Sequence, residues 1–187
     1  MTATRRAILL GLPPLIGGVA LRPDAASAAT RRQIDRDADW AIRALYSSSP
    51  KASYLGKHAK AVLIFPKIIK AGFIVGGQSG DGVLRIGGRS VGYYNISAAS
   101  FGLQAGAQSF SYAMFFMTDP SLQYLQKSDG WAIGSGPSVV IIDKGAAASM
   151  NTTTLTQDVY AMPFGQRGLM AGLGLEGSKI THINPTA

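Results

Sequence analysis

Residues 60–88 read KAVLIFPKIIKAGFIVGGQSGDGVLRIGG, and the pattern of this segment is the main indication of the fold class. It contains three short apolar runs, AVLIF at 61–65, GFIVGG at 72–77 and GVLRIGG at 82–88. Runs of this length that are rich in β-branched and aromatic residues are typical of strands, and the turn-forming sequence Ser79-Gly80-Asp81-Gly82 predicts a turn between two of them. The stretch therefore predicts antiparallel strands.

The same pattern continues toward the C-terminus at a spacing of about ten residues. The further runs are VGYYNIS at 91–97, SYAMFF at 111–116, SVVII at 138–142, DVYAM at 158–162 and GLMAGLGL at 168–175. Because several runs are apolar at successive positions, we expect strands that are buried on both faces. The predicted fold class is α+β, with an antiparallel, strand-rich curved sheet or barrel-like layer and one or two N-terminal helices.

The helices are predicted from apolar periodicity and from proline. Four apolar residues of the segment 31–46 recur at spacings of four, three and four, namely Ile34, Ala38, Ala41 and Leu45. This spacing places them on one side of an amphipathic helix. Pro50 predicts the end of that helix and a second short helix after it. A further helical turn is predicted at 120–127, with Asp119 as the N-cap and Pro120 at the first helical position.

The N-terminus is typical of a secretory signal. Arg5 and Arg6 precede an apolar run over 7–21, and small residues follow at 25–29. This order predicts a signal peptide, and the paired arginines make the twin-arginine route a candidate. A retained membrane anchor is disfavoured, because the apolar stretch is shorter than the ~20 residues that a spanning helix needs and contains two prolines.

We therefore expect residues 1–28 to be a signal peptide and residues 29–187 to form a single domain. The expected location is exported, periplasmic and peripherally membrane-associated. The chain contains no cysteine, which excludes disulfides, thiolate metal sites and a lipid-bearing cysteine.

Positive charge is concentrated in one block. Residues 31–70 carry nine Lys and Arg against three Asp, a local net charge of +6, whereas from residue 71 onward six bases face six acids. The nine cations are Arg31, Arg32, Arg36, Arg43, Lys51, Lys57, Lys60, Lys67 and Lys70. An asymmetry of this kind predicts attraction to an anionic partner rather than a particular fold.

The predicted binding residues begin on the first helix. Arg32, Arg36 and Arg43 lie within about 40° of one another on a helical wheel, and Trp40 lies beside them. Arginine pairs bidentately with phosphate and an indole prefers the headgroup region, so this face suits a peripheral membrane helix. The alternative is an ordinary solvated face that is stabilised by pairs such as Asp39 with Arg43.

A second cluster brackets the first strand: Lys57, Lys60, Lys67 and Lys70. These lysines could be solvated or could protect a strand edge from aggregation. Alternatively, they could fold beside the helix and form one surface for anionic headgroups, each contributing about 1 kcal/mol. The sequence leaves these alternatives open.

Catalytic and cofactor motifs are weak. The two histidines, His58 and His182, have no neighbouring carboxylate or nucleophile pattern. The sequence GLGLEG at 172–177 matches G-x-G-x-x-G but lacks the following helix and acidic residue that dinucleotide binding requires. We expect no enzyme activity, no cofactor and no metal. We also expect no nucleic-acid partner, because the aromatic residues at 93–94 and 112–116 lie in the neutral half of the chain and suit a core.

Three separated blocks resemble the SYLF domain family. They are residues 60–88, quoted above, GLQAGAQS at 102–109 and GLMAGLGLEG at 168–177, within a likeness that extends over most of 33–185. The resemblance implies a fold of strands with N-terminal helices. It also implies binding to phosphoinositides or other membrane surfaces and, in some members, to actin; many bacteria carry exported single-domain relatives.

The resemblance also implies particular site residues. The amphipathic helix of the lipid-binding members corresponds to the region of Ile34, Arg36, Trp40 and Arg43, and the lysines around the first strand correspond to Lys60, Lys67 and Lys70. The chain departs from the family pattern at Tyr93–Ser97 and at Val159–Pro163, where relatives carry different central and tyrosine- and serine-rich segments.

The sequence therefore predicts an exported, non-enzymatic domain that binds anionic phospholipid surfaces through the basic helix and the adjoining lysines. The alternative is a protein-interaction module that binds an acidic partner, such as a filament or an envelope protein.

Overall fold

A computed structural model describes residues 29–142, 156–168, 175 and 177–187. Its elements in chain order are α1 (Arg31–Ser48), α2 (Pro50–His58), β1 (Ala61–Ile86), β2 (Arg89–Phe116), α3 (Asp119–Lys127), β3 (Trp131–Ala132), β4 (Val139–Ile141), β5 (Val159–Gly168) and β6 (Lys179–Ile183). The predicted α+β class is confirmed, since the strands form a curled, mainly antiparallel half-barrel with N-terminal helices. The predicted signal peptide and most of the run at 168–175 lie outside the described residues.

Strand β2 is the central strand of the sheet. One of its edges pairs antiparallel with β1 from Ala61 opposite Phe116 to Ile86 opposite Arg89. Its other edge pairs with β6 near the start of β2 and with β5 near its end. The short strand β3 extends the sheet beyond β6, and β4 extends it beyond β5 in the parallel sense. The expected antiparallel character thus holds for every described strand pair except β4 with β5.

The turn predicted at residues 79–82 is wrong. Strand β1 runs without interruption through them, and the chain reverses at Gly87 and Gly88, whose φ angles are 57° and 80°. Gly80 and Gly82 instead lie where β1 curls back on itself. A Cβ on Gly82 would lie 2.5 Å from the carbonyl oxygen of Ile64. These glycines therefore allow the second half of β1 to lie close to the backbone of its first half, a common role of glycine within strands.

The expectation that strands are buried on both faces is confirmed. One face packs Leu63, Phe65 and Trp131 into a core that α3 covers through Leu125. On the other face Ile64, Val83, Ala113 and Phe115 pack with α1 and α2. Of the aromatic residues that were expected in the core, Tyr94, Tyr112, Phe115 and Phe116 are buried, whereas Tyr93 is only half-buried. The sheet is therefore the middle layer of the domain.

Local capping sets the helix ends. Thr30 is the N-cap of α1 and forms a capping box with Gln33, while Ser49 caps α2, whose first residue is Pro50. The buried side of α1 contains the four predicted apolar residues. The predicted N-cap of α3 is wrong by one residue: Thr118, not Asp119, is extended and accepts the N–H of Ser121. A threonine hydroxyl and an aspartate are both good caps, so composition alone did not separate them.

Asp158 joins three elements at one point. Its carboxylate accepts hydrogen bonds from the Oγ1 of Thr118 at 3.0 Å and from the backbone N–H and Oγ of Ser138 at 3.3 and 3.1 Å. The hydrogen bond from the Ser138 backbone, followed by that from Thr118, lowers the pKa of Asp158. This carboxylate therefore connects the cap of α3 with the starts of β4 and β5.

Changing Gly82→Ala should destabilise the domain by about 1–3 kcal/mol, because the new methyl group overlaps the Ile64 carbonyl and the Phe65 ring. The matched control is Gly77→Ala in the same strand, where the nearest atom would be the Ala98 carbonyl oxygen at 3.5 Å, an ordinary contact. Urea unfolding of both variants measures the difference. Equal midpoints for the two variants would refute the close packing at Gly82.

Changing Asp158→Asn should make stability less dependent on pH in the acid range. Since folding lowers the pKa of Asp158, the ionised group stabilises the fold above its unfolded pKa, and this contribution disappears as pH falls through the folded pKa. The free energy of unfolding of the parent should therefore exceed that of the variant at pH about 7, and the difference should vanish near pH about 2. A difference that is constant with pH would contradict the assignment.

Candidate functional site

Helix α1 presents a cationic face to solvent. Arg32, Arg36 and Arg43 are exposed, opposite the residues that α1 buries. Trp40 is 69% exposed and lies on the flank of these arginines. We call Arg32, Arg36, Trp40 and Arg43 the arginine face. Among the described residues, Trp40 is the most exposed of four large hydrophobic side chains at the surface, the others being Ile69, Val91 and Tyr124.

Two acids of α1 are held by groups on the sheet. The Oδ1 of Asp39 accepts a hydrogen bond from the Nη1 of Arg85 at 2.5 Å, and Arg85 also donates to the backbone carbonyl of Asp35. The carboxylate of Asp35 accepts from the Oγ of Ser90 at 2.7 Å and the hydroxyl of Tyr93 at 2.9 Å. Burial, followed by this bond to Asp35, raises the pKa of Tyr93. These contacts attach α1 to β1 and β2.

Arg32, Arg36 and Arg43 do not take part in these contacts between α1 and the sheet. The predicted pair between Asp39 and Arg43 is present, but the charged atoms are 4.0 Å apart and the Arg43 side chain is 77% exposed. Exposed pairs of this kind contribute little to stability. Asp39 makes its closer ion pair with Arg85, a cation from outside the helix. Part of the negative charge of α1 is therefore neutralised on the sheet side, whereas Arg32, Arg36 and Arg43 face solvent.

A cleft of about 650 Å³ lies beside the Trp40 flank of α1. Its lining residues come from α1, β1, β2 and β5: Asp37, Trp40, Ala44, Ser48, Pro66, Lys67, Ser109, Phe110, Ser111, Phe164, Gly165, Gln166 and Arg167. On the α1 side of β2, Phe115 is bulky, whereas Ala113 and the cleft-lining residues Ser111 and Ser109 have small side chains. The cleft opens beside the two serines.

Bulges on both neighbours of β2 shape this cleft. The register of β1 shifts between Phe65 and Ile68, and the pairing of β2 with β5 shifts beside Ser111, where Gly165 has a φ of 64°. The Oγ of Ser111 donates to the carbonyl of Pro66 at 2.7 Å, which holds the β1 bulge in place. Bulges redirect side chains at functional edges of sheets. Here they place Lys67 and Arg167 on the two sides of the cleft.

The structure divides the predicted lysines among different places. Lys67 lines the cleft with Trp40. Lys57 and Lys60 line another pocket of about 380 Å³ with Ile42 and Tyr46, on the opposite flank of α1. Lys60 also forms an ion pair with Asp119 at 3.4 Å. Lys70 lies farther along β1, in register with Gln108 of β2.

The cleft contains functional candidates that the sequence did not reveal. Arg167, Gln166 and Phe164 come from β5, and Arg167 belongs to the half of the chain whose charges balance. No local motif marks it, because its position depends on a bulge and on the pairing of β5 with β2. Ser109 and Ser111 were not recognised either, because they contribute to the cleft by being small, and small residues form no recognisable binding motif.

The histidines give no support to a catalytic site. His58 stacks on Tyr54 and its Nδ1 lies 2.8 Å from the Tyr54 carbonyl oxygen, while His182 makes an edge contact with Tyr94. Within the described ranges, no group of three or more His, Asp or Glu is arranged to hold a metal ion. None of the described helices has the length and apolar character needed to cross a membrane.

In a comparison with known proteins, one family model matches part of the second half of the chain. Residues 97–185 match the family model described as "Ysc84: Las17-binding protein actin regulator". The matched segment contains the β2 and β5 residues of the cleft, whereas α1 precedes it. No curated protein matches the chain.

Proposed function

We propose that this chain, whose residues 97–185 match the SYLF (Ysc84) family model, is a non-enzymatic binding domain that docks on anionic phospholipid surfaces through the arginine face and Lys67. The match confirms the resemblance for the blocks at 102–109 and 168–177, does not include the block at 60–88, and supports a binding role. The choice of anionic phospholipid as the ligand is our proposal.

The observation that carries this proposal is the exposure of Trp40 beside three exposed arginines on one helix. An indole gains free energy by moving from water to the interfacial region of a bilayer. Each nearby cation adds about 1 kcal/mol at an anionic membrane. Three arginines and Lys67 therefore supply about 4 kcal/mol, which predicts reversible binding that depends strongly on salt.

The fold reduces the cost of presenting this surface. Five residues of α1 are buried against the sheet, and Asp35 and Asp39 are bonded to Ser90, Tyr93 and Arg85. The helix is thus formed and oriented before any lipid is met. A preorganised surface loses less conformational entropy on binding than a segment that must first fold.

Vesicle co-sedimentation tests this proposal. The domain should sediment with vesicles that contain acidic lipid but not with neutral vesicles, and salt should weaken binding, because the Debye length falls to about 3 Å at 1 M. Replacing Arg32, Arg36 and Arg43 with Gln should reduce binding by roughly two orders of magnitude, at about 1 kcal/mol per charge.

The matched control replaces three exposed cations outside the arginine face, Arg89, Lys127 and Lys179, with Gln. It removes the same net charge and should weaken binding much less. Equal losses in the two triple variants would show that only the total charge matters, and equal sedimentation with neutral vesicles would contradict the proposal.

A protein partner is the second candidate, favoured by the family description, which names binding to a protein. The same triple Gln variant distinguishes the two functions. Loss of captured protein partners together with intact vesicle binding would favour an acidic protein partner over a membrane.

We also propose that the domain acts after export and removal of residues 1–28. The capping box of Thr30 and Gln33 supports this, because α1 is fully capped by residues that follow the predicted cleavage point. The intact mass of the protein recovered from a periplasmic fraction should match a chain that begins near residue 29. Recovery of the full-length chain in the cytoplasm would contradict the proposed location.

A further inference from the structure

The cleft beside Trp40 has features of a ligand pocket as well as of a surface. We infer that it takes the single acyl chain of one anionic lipid molecule, with the headgroup held between Lys67 and Arg167. This inference rests on the proposed membrane function and deepens it, because it adds capture of one lipid molecule to adsorption on a surface.

The cleft is of a suitable size and is built by specific contacts. Its volume of about 650 Å³ falls within the range of about 300–1,000 Å³ that is usual for small-molecule sites. The hydrogen bond from Ser111 to the Pro66 carbonyl fixes one side. The amide of Gln166 donates to the Oε1 of the buried Gln108 at 3.3 Å and fixes the other. The hollow is therefore part of the folded sheet.

The lining suits a hydrocarbon chain. Its apolar side chains come from the helix and from all three strands: Trp40, Ala44, Pro66, Phe110 and Phe164. Phe164 packs against the core that lies under α1, so the apolar wall continues from the interior to the surface. Each CH₂ group that enters such a site should raise affinity about fourfold.

The charges select an anionic head. Lys67 from β1 and Arg167 from β5 border the cleft on opposite sides and are both exposed, whereas Asp37 is the one acid in its described lining. A phosphate group between an ammonium and a guanidinium would form charge-assisted hydrogen bonds with both. A free phosphate would leave the apolar wall unoccupied, and a neutral lipid would leave both cations without an anion.

Trp40 provides a direct probe of occupancy. The chain contains two tryptophans; Trp131 is fully buried, with its indole N–H bonded to the carbonyl of Ser135, whereas Trp40 is 69% exposed. Only Trp40 therefore changes environment when the cleft fills. Binding should shift the fluorescence emission to shorter wavelength and saturate at one ligand per chain.

The experiment titrates the domain with lysophosphatidic acid below its critical micelle concentration. Glycerol 3-phosphate provides the head without the chain, and lysophosphatidylcholine of equal chain length provides the chain with a zwitterionic head. We expect saturable binding of lysophosphatidic acid and at least tenfold weaker binding of the other two. The Trp40→Phe variant, which retains only Trp131, should show no spectral shift.

Two variants fill the cleft from opposite sides without changing charge. Ala44→Phe adds a ring from the exposed flank of α1, and Ser109→Phe adds one from the floor on β2. Each should weaken lysophosphatidic acid binding at least tenfold. The matched control is Gln123→Phe, which places an exposed phenylalanine on α3, on the opposite face of the sheet, and should bind like the parent. Ala44→Phe leaves the sheet untouched and so remains informative if Ser109→Phe does not fold.

Lys67→Gln should weaken the binding of lysophosphatidic acid about fivefold, the factor that corresponds to about 1 kcal/mol per cation at an anionic group, and should weaken the binding of lysophosphatidylcholine less, because its choline offsets the charge of its phosphate. Parent affinity in Ala44→Phe, or equal affinity for the anionic and zwitterionic lipids, would overturn the inference.

Vesicle binding separates this inference from the proposed function. If the parent sediments with acidic vesicles but lysophosphatidic acid produces no spectral shift, the cleft inference fails and surface docking stands. If lysophosphatidic acid binds with the expected selectivity but the parent does not sediment, the inference stands without surface docking.

Discussion

The attachment of α1 to the sheet through its acids is the interaction on which the candidate site depends. Asp39 pairs with Arg85 at 2.5 Å, and Asp35 accepts hydrogen bonds from Ser90 and Tyr93. Together with the buried apolar side of α1, these contacts fix the rotation of the helix about its axis. With the helix in this orientation the three arginines face solvent and Trp40 borders the cleft.

This attachment requires the curl of β1. Arg85 lies 46 residues after Asp39 in the chain and near the end of a 26-residue strand. The strand reaches α1 because Gly80 and Gly82 let its second half lie against the backbone of its first half. Bulges in β1 and beside β5 then open the cleft on the same side of the sheet. The orientation of the exposed cationic face of α1 therefore depends on the close packing of Gly80 and Gly82 against the backbone of β1.

The sequence predicted those features that depend on local apolar pattern. The buried side of α1 and the runs at 61–65, 111–116 and 158–162 were correct, because burial imposes a regular spacing on neighbouring residues. Strand β6 was missed, since its sequence KITHI contains one fully buried residue, Ile180, and resembles a polar tail. The turn at 79–82 was wrong because glycine favours both turns and close approach within strands.

The candidate site was predictable only in part. The arginines and Trp40 were recognised because helical periodicity alone puts them on one face. The division of the lysines, with Lys67 beside Trp40 and Lys57 with Lys60 on the other flank, follows from strand curvature and register, which no local pattern encodes. Arg167 reaches the cleft through a bulge and a pairing across the sheet, so it could not be assigned from its neighbours in the sequence.

Depth-resolved quenching of Trp40 measures directly whether Trp40 and the arginines of α1 enter the membrane interface, as we propose. Acidic vesicles carry lipids brominated at different positions along the acyl chain, and the Trp40→Phe variant supplies the background from Trp131. We expect the shallowest bromines to quench Trp40 most strongly and acidic vesicles to protect it from acrylamide in the aqueous phase. Undiminished acrylamide quenching, with no effect of bromine at any depth, would contradict the proposal.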